Sequence, residues 1–451
     1  MPVDADALER LHKLRSLGVR QGVSGLGRAG HQEPALAPQA EQAQGAAHDA
    51  GPGGAGAGLP GEAVATPHGP AWVQTVRYPL AERPDLGSLL AVPREALAAL
   101  GHDPALFALD PAATAFIDVE TTGLALDAGT YTFLIGIGTF EDDFVVRQYF
   151  MRSPAEERAQ LHLVSEALGC CTGIVSFNGR AFDLPLLQNR FLLARLAPPL
   201  PGAPHLDLLP PARRLWRAHL GSCALGELER KVLGRLRSAA DVPGWMIPGI
   251  YHDFYQGGGG EATHLMTRVF YHNQEDITSM ASLATHMARF FERAQAARCV
   301  EGLHPLECAS LARCYDSLGW AEASEAAYRA ALAGPPGVEG EAEMLRAFGF
   351  WLKRAGRREE AAALWETWIT TVRDADLTPY LELAKHHEWH TGDIRSARSW
   401  AAWAASIVES GWPPGAARNE ALADLRRRLQ RLERKLAGGR ATSEHGQAIG
   451  T

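Results

Sequence analysis

Asp118 and Glu120 stand two residues apart in the run Ala115-Phe116-Ile117-Asp118-Val119-Glu120-Thr121-Thr122-Gly123. Side chains of a strand alternate in direction. Phe116, Asp118 and Glu120 would therefore share one face, with Ile117 and Val119 on the other. Two carboxylates on an apolar strand are costly unless something neutralises them, and hard divalent cations, which prefer oxygen ligands, are a fitting partner. Two later stretches offer further groups. Asn178-Gly179-Arg180-Ala181-Phe182-Asp183 carries an acid that serves either as a ligand or as a helix-starting cap. His272-Asn273-Gln274-Glu275-Asp276 puts an imidazole and a carboxylate four residues apart, neighbours on one helical face, with Glu275 competing as the acid. An imidazole that titrates near neutrality beside a metal-binding acid suits general-base chemistry.

Taken together, these stretches resemble the DEDD superfamily of 3′–5′ exonucleases. That family carries Asp-x-Glu-Thr on a first strand, a second Asp after Asn-Gly-x-x-Phe, and a third Asp on a late helix. Here they read Asp118 to Thr121, Asn178 to Asp183 and His272 to Asp276. Within 207–277, Asp207-Leu208-Leu209, Leu225-Gly226-Glu227-Leu228-Glu229, Asp241-Val242-Pro243-Gly244, Ile247-Pro248, Tyr251 and His272-Asn273 are similar to the YprB-type ribonuclease H-like domain. The resemblance covers residues 110–290 or so. It implies two-metal phosphodiester hydrolysis on single-stranded DNA or RNA. Asp118 would be shared by two Mg²⁺ or Mn²⁺ ions, with Glu120, Asp183 and Asp276 completing the ligands. His272 would assist the attacking water. His272 stands at the spacing where much of the superfamily keeps Tyr, and Tyr271 where other members keep His, so both remain open for that role.

Substrate contacts are expected from Thr121 and Asn178 beside the acids and from Phe182 as a stacking platform. Between Arg180 and Arg237 ten Lys or Arg face four Asp or Glu, and Arg180, Arg213 and Arg214 are candidates for phosphates. Asp207 reads instead as a cap for the helix that follows it.

The elements that must hold these groups form an α/β fold. Runs at 115–121, 132–140 and 144–151, joined by short turns, predict a three-stranded antiparallel meander. Ser153-Pro154 predicts a helix start, 172–177 a fourth strand, 182–196 a helix and 271–293 a long helix. The expectation is a ribonuclease H-like mixed sheet of antiparallel and parallel strands, flanked by helices, over 111–296. Residues 1–70, rich in Gly, Ala, Pro and Gln after an amphipathic start, are expected to be disordered, and 71–110 to pack on the sheet domain. From 297 to 437 the pattern is helical, with Gly319, Gly356 and Gly392 spaced by 37 and 36 residues. That spacing suits tetratricopeptide-like hairpins closed by a basic helix, with an irregular bundle as the alternative. Residues 438–451 are expected to be a disordered tail.

At 451 residues the chain is long enough for two or three domains. A net charge of −8 argues against indiscriminate nucleic-acid binding by the whole surface, though not against a local basic path. Six cysteines without a Cys-x-x-Cys pair, no apolar leader and no long apolar run point to a reducing, cytoplasmic setting away from membranes. The repeats would suit a protein partner. Alternatives to an exonuclease are a structure-specific endonuclease of the same fold and a nucleic-acid-binding scaffold.

Overall fold

The computed structural model describes residues 58–123, 129–334, 337–372 and 374–447. The amphipathic start at Leu8 to Leu17 lies outside them. Among the described residues seven strands form one sheet: β1 (Glu62–Thr66), β2 (Gly69–Tyr78), β3 (Thr114–Thr121), β4 (Thr132–Phe140), β5 (Phe144–Phe150), β6 (Gly173–Ser176) and β7 (His205–Asp207). Their order is β1-β2-β5-β4-β3-β6-β7. The expected meander is present as β3–β4–β5, and β2 and β1 extend it antiparallel at the far edge. β6 and β7 run parallel to β3 on the other side. Residues 62–66 and 69–78, placed in the disordered stretch up to 70 or at its border, are thus strands. A Gly- and Pro-rich segment without its own core is ordered here because β1 pairs with β2 and β2 with β5.

The first helices are α1 (Pro84–Gly87) and α2 (Arg94–Gly101). α3 (Glu157–Gly169) follows β5, α4 (Asp183–Leu193) follows β6, and α5 (Leu209–Leu220) and α6 (Leu225–Lys231) follow β7. Ser153 makes no side-chain cap; instead the Glu156 carboxylate accepts from the Arg152 backbone N–H at 2.9 Å. α7 (Ile247–Tyr255) leads into α8 (Gly259–Arg289), which begins twelve residues before the expected 271.

The alternation read in β3 fixes the layers. Ile117 and Val119 pack with Leu161, Val164 and Phe191 of α3 and α4. Phe116 packs with Ile277 and Met280 of α8. That helix comes unusually close to β4 because β4 carries glycines there. A Cβ on Gly136 would fall 2.2 Å from Asn273 Oδ1, and one on Gly138 would fall 2.6 Å from Ile277 Cγ2.

The C-terminal region is all helical. Three hairpins, α9 (Pro305–Ser317) with α10 (Ala321–Ala331), α11 (Glu341–Arg354) with α12 (Arg358–Thr371), and α13 (Thr378–His386) with α14 (Ile394–Gly411), are followed by α15 (Ala416–Gln447). Gly319, Gly356 and Gly392 sit inside the three turns with φ of +72°, +80° and +73°, a backbone region that favours glycine. Helix α15 continues through 447, so residues 438–447 are helical rather than a disordered tail.

One hydrophobic cluster runs from Leu86 through α5 and α8 into α9–α13. Tyr315 Oη donates to the Phe290 carbonyl at 2.6 Å, just past the end of α8. The expected boundary at 296/297 therefore falls inside a shared core, with Ala296 fully buried. Among the described residues no helix is long and apolar enough to cross a membrane.

Candidate metal centre

β3 and β6 run parallel, so their carboxyl ends open on the same edge of the sheet. Asp118 and Glu120 lie near the end of β3, and Asp183 is the first residue of α4, two turns of backbone after β6. Asp276 and His272 come from α8 on the Phe116 face. Ligand atoms of Glu120, His272 and Asp276 all lie within 4.8 Å of one another. Asp118 is pushed up to about 7, by burial first and then by the Asp276 charge. Burial, followed by the charge of Asp118, holds Glu120 well above the usual carboxylate range. Asp183 is raised in the same way by burial, then by Asp118 and Asp207. The four acids thus share one field. Oxygen donors with one imidazole, strained by mutual repulsion, fit a hard divalent cation such as Mg²⁺ or Mn²⁺. The donor set does not distinguish one ion from two.

Asp118 is oriented by Asn273, whose Nδ2 donates to Asp118 Oδ2 at 2.7 Å. The Asn273 Oδ1 accepts from Gln148 Nε2 at 2.8 Å, which fixes the amide against β5. Gly136 is what allows this approach. The alternation of glycines in β4 was the available signal, and Asn273 escapes notice because an asparagine in a helix has no periodic signature.

The polypeptide between α6 and α7 supplies two more site residues, Arg237 and Asp241. His272 Nδ1 lies 2.7 Å from Asp241 Oδ1 and its Nε2 lies 3.5 Å from Asp276 Oδ2. A carboxylate only accepts, so the contact places hydrogen on Nδ1 and leaves Nε2 facing the acids. Burial alone would lower His272, but the hydrogen bond to Asp241 and the Asp276 charge outweigh it and leave the imidazole above its ordinary value. Arg237 donates from Nε to Glu229 Oε2 at 2.7 Å and from Nη2 to Asp276 Oδ1. Glu229 is buried on α6. These partners overcome burial and raise the guanidinium further.

The remaining candidates separate. Tyr271 Oη accepts from the Ser238 backbone N–H at 3.1 Å, so it anchors this loop, while His272 faces the acids. Glu275 pairs with Arg235 at 3.4 Å, leaving Asp276 as the acid in the cluster. Thr121 is buried and its hydroxyl donates to the Gly123 carbonyl at 2.6 Å. Asn178 is exposed with φ of +67°, and its backbone N–H donates to Asp207 Oδ1 at 2.8 Å. Asp207 also accepts from Leu209 N at 3.0 Å, so it both starts α5 and ties down the 178–180 turn beneath Asp183. Gly179 is required there: a Cβ would fall 2.5 Å from Ser176 Oγ and 3.3 Å from Asp183 Oδ2. Phe182 is half-buried beside Asp183.

Two of the expected phosphate contacts are drawn elsewhere. Arg180 reaches the His205 carbonyl and lies 3.7 Å from Asp103, towards the β7 edge. Arg214 is half-buried between α2 and α9, hydrogen-bonded to the Leu100 carbonyl and against Cys314. Its role is packing, because the guanidinium caps backbone between two layers. Arg213 is exposed on α5, and no hydrogen bond or ion pair joins it to the acids among the described residues.

Residues 115–288 match the family model described as RNase_H superfamily. A Bacillus subtilis (strain 168) protein named Uncharacterized protein YprB is 36% identical over 176 residues, which is 39% of this chain and 41% of that protein. The chain thus spans well under half the length of that relative. The sheet topology, the flanking helices and this match together make the 115–288 region ribonuclease H-like, and that superfamily points to a metal-dependent nuclease.

Proposed function

We propose that the protein hydrolyses phosphodiester bonds of single-stranded DNA or RNA as a 3′–5′ exonuclease of DEDD type. One observation carries this: Asp118, Glu120, Asp183 and Asp276 converge with His272 at the carboxyl ends of β3 and β6. In open α/β sheets ligands sit outside those strand ends.

The four acids would hold Mg²⁺ or Mn²⁺, as two ions. Bound divalent cations supply charge neutralisation of the phosphate and a more acidic water. His272, with Nδ1–H fixed by Asp241, presents Nε2 as proton acceptor for the attacking water. The ionised Asp241 then stabilises the imidazolium, so the proton does not return before the leaving 3′ oxygen departs. Asn273 fixes the Asp118 carboxylate for ligation. Phe182, half-buried beside Asp183, would stack on a base near the 3′ end. The C-terminal hairpins, read as tetratricopeptide-like, expose Trp389 and Trp403 and provide a surface for a protein partner.

Digestion of end-labelled oligonucleotides with Mn²⁺ tests this reading. Wild-type protein should release mononucleotides from a 3′ end and spare a circular strand. Asp118→Ala should lose the activity by at least about 1,000-fold, since one metal ligand and its charge are removed. Cleavage by the variant at the wild-type rate, or none by wild type, defeats the proposal; cutting of the circle redirects it to an endonuclease.

A further inference from the structure

We propose that Arg237 is a phosphate-binding residue of the metal centre, contacting a non-bridging oxygen of the scissile phosphodiester through Nη1. This rests on the nuclease reading above and goes beyond it by naming a substrate contact.

A guanidinium has five N–H donors. Nε and one Nη2 hydrogen are taken by Glu229, at 2.7 and 2.5 Å, and the other Nη2 hydrogen by Asp276. Nη1 is placed differently. The carboxylate facing it, Asp241 Oδ1, is 3.6 Å away, beyond a good hydrogen bond. Its other neighbour, His272 Nδ1 at 3.2 Å, already carries a hydrogen for Asp241 and cannot accept. One Nη1 hydrogen is turned towards His272 Nδ1, so it is the other that remains for a ligand, next to the two residues that border the metal site.

The guanidinium is also held still. Glu229 is 2% exposed and grips it from below. The loop is fastened by Ser238 N to Tyr271 Oη and by Arg268, which donates to the carbonyls of Ala239, Ala240 and Asp241. On its outer side Leu236 is 82% exposed, so the loop borders open space. A fixed, charge-assisted donor aimed where phosphate charge accumulates acts without reorganising, and arginine suits phosphate better than lysine does.

The rival role is a strut that merely positions Asp276. Two measurements separate them: Mn²⁺ affinity, read from the electron paramagnetic resonance signal of free Mn²⁺, and binding of oligo-dT by fluorescence anisotropy with Ca²⁺ present. For Arg237→Gln we expect oligonucleotide affinity about tenfold weaker, the loss of one charged hydrogen bond. The dependence of log affinity on log salt should flatten by about 0.7, one phosphate contact. Mn²⁺ affinity should stay within threefold. Parallel losses of Mn²⁺ and oligonucleotide affinity, or an unchanged salt slope, overturn the assignment. If Arg237→Gln does not fold by circular dichroism, Arg237→Lys carries the test, because it keeps a charge opposite Glu229 and Asp276. Its oligonucleotide affinity should fall at least threefold at constant Mn²⁺ affinity, and equal losses overturn the assignment. Neither measurement depends on turnover, so an inactive wild type would defeat the nuclease reading while leaving this comparison decisive.

Discussion

Gly136→Ala should damage the candidate metal centre from the neighbouring strand, where Gly136 stands beside Asp118. The new methyl carbon would fall 2.2 Å from Asn273 Oδ1 and 2.4 Å from Ile277 Cδ1, where ordinary contact begins at 3.4 Å. The helix must back away by about 1.2 Å (3.4 − 2.2). The 2.7 Å bond from Asn273 to Asp118 then lengthens towards about 3.9 Å (2.7 + 1.2), which is no longer a hydrogen bond. Overpacking costs about 1–3 kcal/mol and the lost bond about 1 kcal/mol, so a total near 2–4 kcal/mol is expected. With Asp118 as the metal ligand proposed above, a displacement of this size should lower turnover about 100-fold. Urea unfolding measures the first effect, and Mn²⁺-dependent digestion of a labelled oligonucleotide the second. Gly226→Ala on α6, with nothing within 4 Å of the added carbon, is the control and should be neutral or stabilise by about 0.5–1 kcal/mol. If Gly136→Ala matches wild type in both assays, the close approach of α8 to β4 does not position Asp118.

Three further outcomes are expected. In EDTA, Asp118 keeps its proton up to about pH 7 in the folded chain, whereas the unfolded chain releases it near 3.8. The folded state thus binds the extra proton between those values, so this contribution to stability falls as pH rises through about 7. Thermal melts in EDTA should drop between about pH 4 and 7, Mn²⁺ should restore them, and an equal drop in Asp118→Asn would rule out this origin. Asp241→Asn should cut kcat about 10–100-fold while shifting the His272-dependent limb of the pH–rate profile to lower pH, since Asp241 supports the imidazolium; an unchanged profile would remove Asp241 from the site. Glu388, whose side chain is fully buried, faces Arg428, Arg431 and Lys435 of α15. Glu388→Ala should cost about 2 kcal/mol, between a buried and an exposed pair, and should speed hydrogen exchange in α15 first. Exchange spread evenly over the chain would contradict that placement.

The acids on β3 were legible because alternation is a local property: one face apolar, the other apolar with two carboxylates. The three C-terminal turns were legible for a similar reason, since glycine at left-handed φ repeats at a fixed interval. What escaped depends on partners far along the chain. Residues 58–70 look like linker until β2, itself held by β5, is there to pair with. β7 is three residues long and sits behind a Pro-rich break. The start of α8 hides among Gly257 to Gly260. Arg237, Asp241 and Glu229 carry no periodicity, and only the folded loop shows that they face Asp276 and His272. The positive excess between 180 and 237 suggested a single basic path. The structure disperses it, with Arg214 packing between layers, Arg180 on the β7 edge and Arg237 in the site.

The shared core has a consequence for how the protein is made. Asn273 and Asp118, which touch, are 155 residues apart in sequence. The buried face of α5 is covered by α9, and the Phe291 ring just past α8 packs on Tyr315 of α9, all chain that leaves the ribosome later still. Until then Phe291 and Trp216, both buried in the finished molecule, lack the part of their cover that α9 supplies. A nascent chain halted near residue 296 would display that oily flank, and would be prone to aggregate or be held by chaperones. The flank should close only once α9 has folded back onto α5, well after the sheet and α8 have been synthesised.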